Sequence, residues 1–167
     1  MTMPHVEPIR LSFVCLGNIC RSPTAAAVMR HLVAEAGLAD TITIDSAGTG
    51  AWHIGDGADP RAAAEARRHG IAMPHQARQF AACDFSRFDL VLAMDTQNRR
   101  DLEALAIDDA DRAKVRLLRE FDPAAVAAGD LEVPDPYFGG ADGFADAFDM
   151  VERACSGLLT QITLGLP

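Results

Sequence analysis

The sequence lacks the cysteine patterns and the long apolar runs that mark several common protein classes. Its four cysteines form no Cys-x-x-Cys pair, and no histidine stands at zinc-ligand spacing from them. Neither a structural zinc site nor a disulfide framework is therefore expected. No apolar run approaches the ~20 residues that span a bilayer, and the N-terminus lacks the apolar stretch of a signal peptide. We expect a cytoplasmic protein with free thiols and no membrane insertion.

Positive charge is also scarce. The chain has 15 Lys and Arg against 24 Asp and Glu, which gives a formal net charge of −9. This balance argues against a nucleic acid or an anionic membrane as partner. With 49% hydrophobic residues in a chain of 167, we expect one domain over residues 1–167, with residues 1–8 flexible.

The order of apolar and amphipathic segments predicts an α/β fold. Four short apolar runs indicate strands at residues 9–16, 41–48, 88–95 and 114–121. Amphipathic segments between these runs predict helices near residues 23–36, 58–69 and 96–106, and apolar residues at steps of three and four predict a last helix at 142–163. Asp142 is the expected N-cap of the last helix. This alternation is typical of a single-domain, open, four-stranded parallel sheet with helices on both faces, which is a doubly wound fold.

In open parallel sheets the ligand crevice lies outside the carboxyl ends of the strands. This rule places three loops on one edge, at residues 16–22, 46–59 and 122–140. The last loop is long, and long ordered loops are more often functional than idle.

The loop between the first strand and the alanine-rich helix is small and polar, and Cys15 and Arg21 stand at its two ends. A tight turn into a helix points backbone N–H groups inward, and the helix N-terminus adds partial positive charge. Gly17 allows close backbone approach, Asn18 tolerates positive φ, and Pro23 suits the first helical position. Arg21 supplies a planar fork for two phosphate oxygens. The pattern predicts a phosphate cradle with a Cys15 thiolate at its floor.

The run Cys-Leu-Gly-Asn-Ile-Cys-Arg-Ser-Pro over residues 15–23 resembles the signature of the low-molecular-weight protein tyrosine phosphatases, and the resemblance covers nearly the whole chain. It implies hydrolysis of phosphotyrosine in proteins, and of aryl phosphates, through a phosphocysteine intermediate, with no metal and no cofactor. Inorganic phosphate and other oxyanions would bind as product or inhibitors. Cys15 is then the nucleophile, Arg21 binds the phosphate, and Ser22 hydrogen-bonds the sulfur. The rest of the cradle is formed by Leu16, Gly17, Asn18, Ile19 and Cys20.

A second motif supplies the acid that such a reaction needs. Asp135 lies between two prolines, and Pro136 disfavours helical geometry for it. The matching family motif implies that Asp135 is the general acid and then the general base. Trp52 and Tyr137 are the one tryptophan and the one tyrosine of the chain. Both fall on the predicted ligand edge, and the resemblance implies that they line the slot for the phosphotyrosine ring.

The resemblance also implies supporting residues. Ser46 and His75 match residues that help Asn18 to brace the cradle. Asp95 and Asn98 match a pattern at the end of the third strand, and we expect them to support the edge of the site.

The remaining cysteines are given lesser roles. The cysteine that matches Cys20 can form a reversible disulfide with the nucleophile, and it should not be required for turnover. Cys83 and Cys155 are expected to be inert thiols.

Three other functions remain open. Arsenate reductases share the opening loop but use further cysteines downstream, where this chain has only Cys83. Protein-arginine phosphatases typically have threonine in place of Ile19, so Ile19, Trp52 and Tyr137 favour phosphotyrosine. A noncatalytic phosphotyrosine-binding module would not need Cys15 and Asp135 together.

Overall fold

The computed structural model describes residues 7–165 and contains a four-stranded, all-parallel sheet. The strands are β1 (Ile9–Cys15), β2 (Ile42–Gly48), β3 (Leu90–Ala93) and β4 (Val115–Leu117), in the order β2-β1-β3-β4. The predicted fold class is confirmed. Residues 1–8 were expected to be flexible, and residues 1–6 of this range lie outside the described residues.

Helices connect the strands and cover both faces of the sheet. They are α1 (Arg21–Glu35), α2 (Pro60–Arg68), α3 (Thr96–Leu105), α4 (Asp109–Ala113), α5 (Pro123–Ala128) and α6 (Ala141–Leu164), with 3₁₀ helices at Ala82–Ser86 and Leu118–Phe121. The four predicted helices are confirmed, with ends that differ by one or two residues. The pattern did not predict α4, α5 or the two 3₁₀ helices, because each has only four to six residues.

The alternation of side chains along β1 separates two apolar cores. Leu11 and Phe13 face α1 and α6, where most of the large buried side chains lie. Val14 points to the opposite face and packs with Phe85 and Leu102, from the first 3₁₀ helix and α3. Because successive side chains of a strand point to opposite faces, one strand supplies both cores.

Three local predictions are wrong, each for a physical reason. The run at residues 114–121 is strand only at Val115–Leu117 and continues as a 3₁₀ helix, because short apolar runs do not distinguish these states. Helix α1 begins at Arg21, so Pro23 is its third residue, where the missing N–H is still harmless. The N-cap of α6 is Gly140 rather than Asp142, which lies within the first turn.

The strand order determines where a ligand can bind. The chain passes from β1 to β2 on one side and then returns to β3 on the other side of β1. The crevice of such a sheet lies at this reversal, at the carboxyl end of β1. The residues that follow Cys15 occupy that position. Within the part of the chain described, no helix has the length and apolar character to cross a bilayer.

Candidate functional site

Residues 15–22, here called the Cys15 loop, curl around the sulfur of Cys15. The Cys15 side chain is buried at the end of β1. Its Sγ lies 3.3 Å from the backbone N–H of Asn18, which donates to it, and 3.0 Å from Ser22 Oγ. The loop is tied to the segment after β2, because the N–H groups of Thr49 and Gly50 donate to the carbonyls of Cys15 and Leu16. The sulfur is therefore held at the floor of a fixed loop.

Asn18 holds the Cys15 loop in shape through both its backbone and its side chain. It is fully buried and has a positive φ of 56°. Its Nδ2 donates to Ser22 Oγ at 2.8 Å and to Ser46 Oγ at 3.0 Å. Its Oδ1 accepts from the backbone N–H of Arg78 at 3.0 Å. Asn18 thus joins three separate segments of the chain.

His75 contacts the same residue from the other side. Its Nε2 lies 2.6 Å from the Asn18 carbonyl, so the ring donates through Nε2–H. Burial lowers the pKa of His75 below its usual value of 6.5 and outweighs the opposite effect of this hydrogen bond. The neutral ring is therefore the form that braces the loop near neutral pH.

Arg21 is a buried cation with acceptors on two sides. Its guanidinium lies 2.6 Å from Asp95 Oδ2, 3.1 Å from the carbonyl of Val133 and 3.5 Å from Asp135 Oδ2. Burial lowers the pKa of Arg21, but Cys15 and these carboxylates outweigh it, so the pKa is raised and the charge is retained. Asp95, expected only at the edge of the site, contacts Arg21 directly. The Asn98 N–H supports it by donating to Asp95 Oδ1 at 2.7 Å.

Asp135 faces Arg21 from the segment at residues 133–138, here called the Asp135 segment. Its side chain is 39% exposed, so solvent can reach the carboxylate. The backbone N–H of Tyr137 donates to Asp135 Oδ1 at 3.1 Å, and the Val133 N–H donates to the Met94 carbonyl at 2.8 Å. The first bond lies within the Asp135 segment, and the second attaches the segment to the residue that follows β3.

The Cys15 loop and the Asp135 segment enclose a pocket of about 250 Å³. It is lined by Cys15, Leu16, Gly17, Ile19, Cys20, Arg21, Trp52, His53, Asp135, Tyr137 and Phe138. Trp52 and Phe138 are 75% and 93% exposed, so the mouth has an apolar aromatic rim. The structure brings together every predicted residue of the cradle, the acid and the slot, while Ser46 and His75 lie behind the cradle.

Sequence reasoning missed His53, which lines the same pocket. His53 Nδ1 lies 3.1 Å from Asp56 Oδ2. A Cβ on Gly17 would come within 3.1 Å of His53 Cδ2, so the absence of a side chain at Gly17 lets the histidine approach the loop. Only the position of His53 beside Trp52 pointed to it in the sequence.

Arg78 was also missed as a support of the loop. Its backbone holds Asn18, and its guanidinium donates to Asp45 Oδ2 and Asp84 Oδ2, each at 3.0 Å. Asp84 is buried, and Arg87 also donates to it. Asn18 and Asp45 lie 60 and 33 residues from Arg78 in the sequence, so no local pattern indicated these two contacts.

The other thiols differ in exposure. Burial raises the pKa of Cys20 to about 12, so Cys20 remains a thiol within the Cys15 loop. Cys155 is buried with a raised pKa, and Cys83 is exposed. Among residues 7–165, no three His, Cys, Asp or Glu side chains cluster in a way that could hold a metal ion.

A parallel sheet with a cysteine-centred loop at a helix N-terminus defines an α/β protein with a site suited to an oxyanion. The comparisons make this class specific. The model of the family described as low molecular weight phosphotyrosine protein phosphatase matches residues 10–165. A low molecular weight protein-tyrosine-phosphatase of Streptomyces coelicolor is 56% identical over 153 residues, which cover 92% of this chain and 93% of that one. The chain belongs to the low molecular weight phosphotyrosine protein phosphatase family.

Solved structures agree with this assignment. A protein tyrosine phosphatase from Entamoeba histolytica, crystallised with Hepes in its active site, is 36% identical, with a TM-score of 0.89 over 94% of this chain and 98% of that chain. An arginine phosphatase from Drosophila is 33% identical, with a TM-score of 0.85 over 92% of this chain and 98% of that chain. The fold therefore does not distinguish between these two substrate classes.

Proposed function

We propose that the protein is a cytoplasmic tyrosine phosphatase that hydrolyses phosphotyrosine in proteins through a phosphocysteine on Cys15. The observation that supports this most is the arrangement of one pocket, which has the Cys15 sulfur at its floor and Arg21 and Asp135 at one wall. A nucleophile, an anion-binding group and a proton donor are the three groups that phosphoryl transfer to a side chain needs.

In the first step the Cys15 thiolate attacks phosphorus while the bond from phosphorus to the tyrosine oxygen breaks. The backbone N–H groups of the Cys15 loop and the guanidinium of Arg21 hold the phosphate oxygens in line with the sulfur. Protonated Asp135 gives its proton to the leaving phenolate. The products of this step are a free tyrosine, a phosphocysteine and an Asp135 carboxylate.

In the second step water replaces the tyrosine. The Asp135 carboxylate takes a proton from the water as the oxygen attacks phosphorus, and the bond from phosphorus to sulfur breaks. Ser22 Oγ, 3.0 Å from Cys15 Sγ, can donate to the departing thiolate. Inorganic phosphate leaves, and both Cys15 and Asp135 regain their starting forms.

The shape of the pocket favours an aryl phosphate. Trp52 and Tyr137 form walls above the Cys15 loop, and a phenyl ring between aromatic faces gains about 0.5–1.5 kcal/mol beyond simple burial. The phosphate of a serine side chain lacks that ring. Ile19 gives the base of the pocket an apolar side chain. A threonine at the same position would instead offer a hydroxyl that could hydrogen-bond a guanidinium substrate.

The test is phosphate release from matched phosphotyrosine, phosphoserine and phosphoarginine peptides, with EDTA present, by the wild type and Cys15→Ser. We expect release from phosphotyrosine alone by the wild type and none by Cys15→Ser. A phosphocysteine trapped by acid quench should be absent from the variant. Preference for phosphoarginine would retain the nucleophile and reject the tyrosine slot. Equal turnover by Cys15→Ser would reject the mechanism.

A further inference from the structure

Arg61, near the start of α2, is paired with the buried carboxylate of Asp59. Its Nε lies 3.1 Å from Asp59 Oδ1 and its NH2 lies 2.8 Å from Asp59 Oδ2, a two-point contact that fixes the plane of the guanidinium. The pKa of Asp59 is lowered, chiefly by this hydrogen bonding with Arg61. The pair is therefore ionised throughout the neutral range, and the position of Arg61 is set by Asp59.

Asp59 in turn is fastened to the Cys15 loop. Its backbone N–H donates to the carbonyl of Ile19 at 2.8 Å, and its carboxylate caps α2 by accepting from the Arg61 N–H at 2.8 Å. Asp59 is only 7% exposed, so it cannot move without breaking buried contacts. The N-terminus of α2 and the Cys15 loop are therefore joined through a buried residue.

The face of the same guanidinium lies against the Asp135 segment. Its guanidinium carbon lies 5.4 Å from the centre of the Tyr137 ring and 4.6 Å from the centre of the Phe144 ring. Both distances lie within the range of cation–π attraction. Tyr137 is two residues from Asp135 and donates its backbone N–H to the Asp135 carboxylate. Phe144, in the first turns of α6, is buried and gives the guanidinium a fixed neighbour.

We propose that Arg61 is a positioning residue that holds the Asp135 carboxyl over the sulfur of Cys15. It does so by joining Asp59, which is fastened to the Cys15 loop, to Tyr137 of the Asp135 segment. The inference rests on the proposed function, since it assigns Arg61 a part in aligning the proton donor. Arg61 is not among the residues that line the pocket.

The proposal has a kinetic signature that a purely structural role lacks. A displaced acid transfers its proton less effectively, and this matters most when the leaving group is a poor one. The rate constant kcat/KM covers the reaction up to breakage of the first phosphorus–oxygen bond. Loss of Arg61 should therefore steepen the decline of kcat/KM as the leaving phenol becomes less acidic.

The experiment measures kcat/KM for phenyl, para-nitrophenyl and dinitrophenyl phosphates with the wild type and three variants. Arg61→Lys keeps the charge but loses the flat two-point contact. Arg68→Lys is the matched control, because Arg68 is an arginine of the same helix that is 74% exposed and pairs with Glu65. Asp135→Ala shows how steeply kcat/KM declines with the acidity of the leaving phenol when the enzyme lacks its acid.

For Arg61→Lys we expect kcat/KM to fall about tenfold with phenyl phosphate and less than about twofold with dinitrophenyl phosphate, as a small displacement of a reacting group would cause. Arg68→Lys should match the wild type on all three substrates. An equal loss by Arg61→Lys on all three substrates would overturn the proposal. If Asp135→Ala itself left the slope unchanged, the acid assignment in the proposed function would fail instead.

A second variant protects the test against misfolding. Asp59→Asn with Arg61→Gln replaces the ion pair by a neutral hydrogen-bonded pair and retains an N-cap for α2. It removes the cation over Tyr137 without leaving a buried carboxylate unpaired. We expect kcat/KM of this double variant to decline as steeply with leaving-group acidity as that of Arg61→Lys. Unfolding followed by circular dichroism shows whether the double variant is folded. A folded double variant with the slope of the wild type would also reject the role of Arg61.

Discussion

At the scale of single residues, Asn18 determines most of the geometry of the Cys15 loop. Its φ of 56° lies in the left-handed region, which most side chains occupy only at a cost of about 1–2 kcal/mol. Its amide also makes three hydrogen bonds, to Ser22, Ser46 and the backbone of Arg78. Glycine would tolerate the positive φ but could not make the three side-chain hydrogen bonds. Asparagine meets both requirements, because its short amide tolerates this conformation and both donates and accepts hydrogen bonds.

Two substitutions at Asn18 separate these requirements. Asn18→Gly and Asn18→Ala both remove the three hydrogen bonds and should each lower kcat/KM for phosphotyrosine, because Ser22 and the loop lose their support. Asn18→Ala adds backbone strain, so it should unfold more easily than Asn18→Gly by about 1 kcal/mol. Urea unfolding measures this difference. Equal stability of the two variants would show that the loop relaxes out of the left-handed conformation.

At the scale of secondary structure elements, helix α6 packs unusually close to the backbone of Phe121, which follows β4. A Cβ placed on Gly157 would lie 1.8 Å from the carbonyl oxygen of Phe121. The turn after β4 can therefore approach α6 only because position 157 has no side chain. This contact brings Phe121 and Asp122, which precede α5, against the helix.

Two Gly→Ala substitutions in α6 should have opposite effects on stability. Gly157→Ala should lower the free energy of unfolding by about 1–3 kcal/mol, which is typical of an overpacked core. Gly143→Ala is the control in the same helix, since its Cβ would meet nothing nearer than 3.5 Å. Alanine there should be neutral or should stabilise by up to about 1 kcal/mol. Similar values for both in thermal and urea unfolding would contradict the close approach.

The elements also show how far the sequence predicts the fold. The sequence pattern located the first three strands as short apolar runs, and α1, α2, α3 and α6 as the longer segments between and after them. It failed after β4, where the apolar residues Leu118 and Phe121 lie on a 3₁₀ helix rather than on a strand. It failed at Asp142 because Gly140 caps α6 through its backbone conformation, without a side chain that a pattern could reveal.

At the scale of the whole molecule, stability should depend on the protonation of His75. Its pKa is lowered in the folded protein, mainly by burial, whereas it returns to about 6.5 on unfolding. The unfolded chain therefore binds more protons between these two values. The contribution of His75 to stability is complete above pH 6.5 and is lost as the pH falls through the folded pKa.

This dependence can be isolated by difference. His75→Gln retains a donor for the Asn18 carbonyl but does not titrate. We expect the free energy of unfolding of the wild type, minus that of the variant, to decrease as the pH falls below 6.5. The other histidines and the carboxylates occur in both proteins and cancel in the difference. Parallel curves for the two proteins would show that His75 is not protected from protonation.

The whole molecule also sets the limit of prediction for the site. The motif over residues 15–23 predicted that Cys15, Asn18 and Arg21 come together in one loop, because these residues are close in sequence. The contacts of Arg78 with Asn18, of Asp95 with Arg21 and of Arg61 with Tyr137 join residues 60 or more positions apart. Such pairs follow from how the loops dock, and no local pattern contains that information.

The contact of Arg21 with Val133 spans 112 residues of chain. During synthesis the ribosome releases the Cys15 loop long before it has made the residues that complete the pocket. A growing chain thus has its thiol and its arginine early, with no carboxylate at position 135 to serve them. The pocket is therefore completed only after the Asp135 segment has been made and has docked against Arg21.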